Sequence, residues 1–226
     1  KSFELIGRCA SMVTLSGTKA TGLGSDAVIR VNAGAQASIS DLTASGPGVG
    51  VLADEDVSLA MTRVALIVNH YYGVWTFDSA TTLQVSQTLI ARTQPKANGY
   101  GGEGLRVSDG ASLTLSRSAV LGNHQGGVEA RYGSTVAIED ALIARTQPKA
   151  DGFGGRGVSA ISGVALTLSR SAVVDNHSIG LYAAGGPYAE KNNTVAIEDA
   201  LIARTQPRAN GTYGQGVSLG GAALTL

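Results

Sequence analysis

The chain writes one fourteen-residue stretch three times: LIARTQPKANGYGG at 89–102, LIARTQPKADGFGG at 142–155 and LIARTQPRANGTYG at 201–214. Between these copies another stretch recurs, SLTLSRSAVLGNH at 112–124 and ALTLSRSAVVDNH at 165–177, with a diverged copy, SLAMTRVALIVNH, at 58–70. Both series advance by about 53 residues. The last ARTQP copy is shifted by 59 because GGPYAEKNN (185–193) adds six residues. Repetition on this scale excludes a core built once from unrelated elements, because each unit must bury its apolar face against the next copy of itself.

The unit divides again. Apolar-x-apolar pieces align on Leu15, Ile39, Met61, Val85, Leu115, Ile138, Leu168, Ile197 and Leu226, at spacings of 22–30 residues. A second marker, Gly followed by Val or Leu, puts Val51, Val74, Leu105, Val128, Val158 and Val217 nine to eleven residues before the next anchor. Leu181 stands sixteen before it, because of the insertion. Short alternating segments separated by Gly, Ser, Asn and Asp read as strands and turns; in ASLTLSRSAVL, Leu113 and Leu115 face inward and Thr114 outward. Strands this short must stack to bury anything. The prediction is an all-β, single-stranded parallel β-helix solenoid of about eight rungs, one domain over 1–226, with a ninth rung begun.

On these markers the sequence resembles the right-handed parallel β-helix family, the pectate-lyase-like fold of many secreted bacterial proteins. The resemblance rests on the repeat pattern and on no active-site motif. It implies an extracellular or cell-envelope location and a fragment of a longer repeat protein. Leucine-rich repeats share the period but need an Asn close behind the strand leucines. Here Asn69, Asn123 and Asn176 come eight residues after the anchor, in alternate rungs only.

Composition narrows the partners. Lys plus Arg and Asp plus Glu number 17 each, so no net field draws the chain to nucleic acid. No apolar run approaches the roughly 20 residues of a bilayer span, so no membrane insertion is expected. The single cysteine, Cys9, excludes an internal disulfide and a Cys-rich zinc site. No cofactor or metal is predicted. The glycine clusters GYGGEGL and GFGGRGV lack the Asp of the calcium-binding nonapeptide, and no P-loop spacing occurs.

In a stack, residues at one offset form a column at about 4.8 Å spacing. Five residues after the anchor come Leu66, Ile90, Val120, Ile143, Val173 and Ile202, a core column. Two after it come Asp41, Arg63, Gln87, Arg117, Asp140, Arg170 and Asp199, whose alternating signs specify register. That column accounts for the carboxylate pairs Glu139-Asp140 and Glu198-Asp199 structurally, since flanking arginines lower an Asp pKa and unfit it as a general acid. His70, His124 and His177 fall two rungs apart, roughly 10 Å, too far to share a metal. The Asn before each suits a tight left-handed corner.

The ARTQP rungs are 29–30 residues long, and their loops at 92–103, 145–156 and 204–215 are expected to protrude together, roughly 10 Å apart. The candidate ligand-binding residues are Arg92, Gln94, Tyr100, Arg145, Gln147, Lys149, Phe153, Arg204, Gln206 and Tyr213. Sugars stack on exposed aromatic rings and bond to amides and guanidinium groups, so polysaccharide is the natural partner; the same loop also reads as a plain fold-back. Three functions compete. The first is a non-catalytic scaffold or adhesin module, supported by near-exact repetition, since catalysis needs one asymmetric constellation. The second, implied by the resemblance, is a polysaccharide lyase or glycoside hydrolase, with Arg145, Lys149 and Asp151 the available candidates. The third is an ice- or surface-binding face along Thr14, Ser38, Thr114, Thr167 and Thr225. Exposed strand edges at the ends of a solenoid also invite end-to-end self-association.

Overall fold

The computed structural model describes residues 2–9, 13–17, 26–31, 34–186 and 192–226; Pro187–Lys191 of the GGPYAEKNN insertion lie outside the described residues. Among the described residues, twenty-five strands form three all-parallel sheets of nine, eight and eight, in which each strand pairs with the third before it and the third after it. Every turn of the coil therefore contributes one strand to each sheet. Ser112–Ser116 lies in the first sheet, Ala119–Leu121 in the second and Gly126–Arg131 in the third. Eight turns are complete, and Ala222–Thr225 begins a ninth.

The core is built from the predicted columns. Ile39, Met61, Val85, Leu115, Ile138 and Leu168 pair in register along the first sheet and are buried, as are Leu66, Ile90, Val120, Ile143 and Val173 along the second. Val51, Val74, Leu105, Val128, Val158 and Leu181 close the third wall. Each such side chain withdrawn from water stabilises the fold by about 1.5–3 kcal/mol before ordering costs.

One anchor is corrected. Leu5, not Leu15, pairs with Ile39, so the first turn spans 34 residues, from 5 to 39; Leu15 sits in the second sheet opposite Ala44. Thr14 likewise leaves the proposed surface column, where Glu4 takes its place beside Ser38. Interrupted now by Glu4 as well as by Ala60, Gln84, Ala137 and Ala196, that column is no uniform hydroxyl face.

Two of the three bends in each turn are made by one residue in left-handed conformation. Between the first and second sheets stand Asp41, Arg63, Gln87, Arg117, Asp140, Arg170 and Asp199, with φ of 44–58°. Between the second and third stand Val68, Arg92, Gly122, Arg145, Asp175 and Arg204, with φ of 53–59°. A side chain disfavours this conformation, but each turn needs the sharp bend to bring the next strand into register. The bend is tied down by inter-turn hydrogen bonds, such as Arg92 N–H to Leu121 O at 3.0 Å and Gly122 N–H to Ala144 O at 2.9 Å.

The asparagines are not the corner residues. Asn69, Asn123 and Asn176 follow the left-handed position by one residue and are fully buried. Asn123 Oδ1 accepts from the Thr93 N–H at 2.9 Å, and its Nδ2 donates to the Ile90 carbonyl at 3.1 Å. Asn176 repeats both bonds on Thr146 and Ile143. A corner offers backbone groups with no strand partner, and burying them unpaired costs more than placing an amide among them. The column therefore alternates Asn and Thr from turn to turn.

Candidate functional site

The solenoid surface carries three chemically distinct regions. The first is a groove along the outer face of the second sheet. Its floor is apolar, with Leu89, Ala119, Leu142, Ala172 and Leu201 pointing outward. One wall is the first corner, including Arg117, Asp140 and Arg170, and the open volume is about 1000 Å³. Toward the other corner a cleft of about 450 Å³ is lined by Leu89, Ala91, Leu121 and Gly122, with Arg92, Arg145 and Gln147 at its edge.

Both walls use one ion-pair geometry. A corner arginine reaches back one turn and lays Nε and Nη2 against the two oxygens of a corner aspartate. The distances are 2.6 and 2.7 Å for Arg63 on Asp41, 2.9 and 3.2 Å for Arg170 on Asp140, and 2.6 and 2.9 Å for Arg204 on Asp175. Arg170 also bonds Glu139. In each case the guanidinium holds the aspartate below the usual carboxylate range. Glu139-Asp140 is therefore an arginine platform and not an acid–base pair, as the alternating column predicts.

The second region is the row of ARTQP hairpins, each leading into the third sheet. Lys96 N–H donates to Tyr100 O and Lys149 N–H to Phe153 O, both at 2.8 Å. Asn98, Asp151 and Asn210 cap the turns by accepting the N–H two residues on. That bond, with Lys149, pulls the Asp151 carboxyl below its ordinary range, so Asp151 is a turn-maker. The cations bend inward: Lys96 lies 3.9 Å over the Tyr71 ring, and Lys149 Nζ lies 3.3 Å from Asp151. Tyr100 and Phe153 remain outward, 68 and 62% exposed. Tyr213 is not their equivalent. Arg208 N–H bonds Thr212 O, so Thr212 holds the aromatic position and Tyr213 the left-handed position of Gly101 and Gly154. Arg208 bridges the last two hairpins, 4.2 Å from the Tyr213 ring centroid and 5.5 Å from that of Phe153.

The predicted binding residues thus divide. Arg92, Arg145 and Arg204 are corner residues, and the first two edge the second-sheet cleft. Gln94, Gln147 and Gln206 stack opposite His70, His124 and His177 in one alternating column, and each donates its amide to the carbonyl of its own corner arginine. The histidines never meet, and the described residues hold no group of three or more His, Cys, Asp or Glu positioned for a metal ion. Lys149, Tyr100 and Phe153 belong to the hairpins.

The third region lies on the outer face of the third sheet. Arg106 Nη1 stands 3.1 Å from Glu129 and 3.6 Å from Glu103, Arg131 donates to Glu129 at 2.8 Å, and Gln125 donates to Glu103 at 2.5 Å. Glu103 is fully buried with one oxygen unpartnered. Burial, aided by the Glu129 charge, pushes its pKa up to about 8. One turn back, Tyr71, Tyr72, Trp75 and Phe77 form an aromatic cluster with neighbouring rings 3.9–5.7 Å apart. Sequence reasoning missed this region. The signal was the residue after each third-sheet marker, which reads Leu52, Trp75, Arg106, Glu129, Ser159, Tyr182 and juxtaposes Arg106 with Glu129.

Three parallel sheets coiled about one apolar column, with the polar chemistry on corners, hairpins and the outer sheet faces, define a β-helix solenoid. The family model described as "Right handed beta helix region" matches residues 27–200, well over half of the chain, and the chain belongs to that family. Neither the curated proteins nor the solved structures give a match.

Proposed function

We propose that this β-helix is a non-catalytic module, a scaffold or adhesin of the extracellular space or cell envelope, that contacts polysaccharide through its hairpin row. The location is carried over from the resemblance to secreted β-helix proteins. The observation that supports the contact is the pair of exposed rings, Tyr100 and Phe153, held on matched hairpins two turns apart. Rings whose supporting turns are closed by internal hydrogen bonds lose little freedom on binding, and a sugar face can stack on each. Among the described residues, Glu139 and Asp140 are both tied to Arg170, and the neighbouring carboxylates Glu103 and Glu129 are buried with arginine and glutamine against them. Reacting atoms cannot reach groups so enclosed.

A glycan array and an unsaturated-uronate absorbance assay on the intact chain test the proposal. Binding without product absorbance, lost in Tyr100→Ala/Phe153→Ala while the circular dichroism spectrum is kept, is the expected result. Rising absorbance would overturn the non-catalytic assignment, and binding unchanged in the double variant would overturn the role of the hairpins.

A further inference from the structure

The corner between the second and third sheets runs Arg92, Gly122, Arg145, Asp175, Arg204 in successive turns. Arg204 above Asp175 makes the two-point pair described above. Arg145 occupies the same place above Gly122, and nothing stands there to receive it. Among the described residues neither Arg92 nor Arg145 has a carboxylate within ion-pair distance; Asp175, the other neighbour of Arg145, is engaged by Arg204. The empty place is not imposed by the backbone. Five other residues of this corner adopt the same φ with side chains, and a Cβ added at Gly122 would meet only the Arg92 Cγ, at 4.0 Å.

The gap opens into the 450 Å³ cleft floored by Leu89, Ala91 and Leu121. A guanidinium at the corner position from which Arg204 grips Asp175, a second one across the gap and an apolar floor between them specify a ligand of two parts. We propose that this cleft binds a small amphiphilic carboxylate, its head taking the position that Asp175 fills two turns on and its short apolar body lying on Leu89 and Leu121. The cleft is a site apart from the ring faces of the hairpins and does not depend on their binding polysaccharide.

Octanoate is the probe, followed by isothermal titration calorimetry and by amide chemical shifts on the intact chain. One saturable site is expected, with the largest shifts at Leu121, Gly122 and Arg145. Octanol, which keeps the body, and acetate, which keeps the head, should each bind at least about tenfold more weakly, since a good charge-assisted pair and a buried short chain each contribute on that scale. Gly122→Asp copies Asp175, so the variant supplies its own carboxylate; it should fold with an unchanged spectrum and lose octanoate by more than about tenfold. Arg145→Gln should lose it without filling the cleft. Equal binding of octanol, or undiminished octanoate binding by Gly122→Asp, would overturn the proposal. So would saturation by an acidic Leu-rich peptide under conditions where octanoate gives no heat and no shifts, which would make the site one for a protein partner.

Discussion

Asn123 shows how much a single side chain does inside this coil. It satisfies the N–H of Thr93 and the carbonyl of Ile90, both at a corner where the backbone has turned away from its sheet partners. Asn123→Ala leaves both groups buried and unpaired, and urea unfolding should show a loss of about 2–4 kcal/mol. A loss under half a kcal/mol would mean that water replaces the amide. Glu103 is the opposite case, a side chain whose neutral form is favoured by burial and by the Glu129 charge. Its folded pKa of about 8 exceeds its ordinary 4.5, so between these values the native state keeps a proton that the unfolded chain releases. Stability therefore falls as pH rises through that window. Glu103→Gln fixes the neutral form, and its melting temperature should gain on the parent progressively from pH 5 to pH 9; a pH-independent difference would refute the assignment. Neither role was legible in sequence. An Asn one residue beyond a bend and an Asn in the bend differ by a single position in a column, and that position decides whether the amide points into the wall or adopts the bend itself.

At the scale of the element, the walls were readable because three short strands per turn leave little freedom once two markers hold register. The hairpins were readable as insertions. ARTQP turns exceed their neighbours by the length of 96–102 or 149–155, and the preceding and following backbone pairs as though nothing intervened, with His124 beside Gln147. Excising residues 149–155 should leave the sheet signal and melting temperature near those of the parent while abolishing glycan contact at Phe153. A collapse of the sheet spectrum would show instead that the hairpin holds the third sheet. The third aromatic misled because Tyr213 looks like Tyr100 and Phe153, while the turn-capping Asn210 and the Arg208–Thr212 bond count from the other side. A turn is specified by its capping residue and its glycine, and the ring is a passenger. The corner ion pairs behave differently again. Asp41, Asp140 and Asp175 are held below their ordinary range, so whatever stability they add is present above it and fades as pH falls through their folded values. Being exposed, they fix register more than they add strength.

For the molecule as a whole, each turn touches only the turns before and after it, so stability is a sum over neighbours. The alternation along the axis has a further consequence. Asn123 works because the turn before it offers Thr93, and Asn176 because the turn before it offers Thr146. Inserting one turn would set asparagine on asparagine or threonine on threonine and strand an amide in the wall. Inserting two would go unnoticed by every hydrogen bond in the column. From Thr93 to Asn176 this wall has a parity: turns can be added or lost there without stranding an amide only in pairs, and a gene that grows or shrinks by 53 codons at a time keeps those rungs in step.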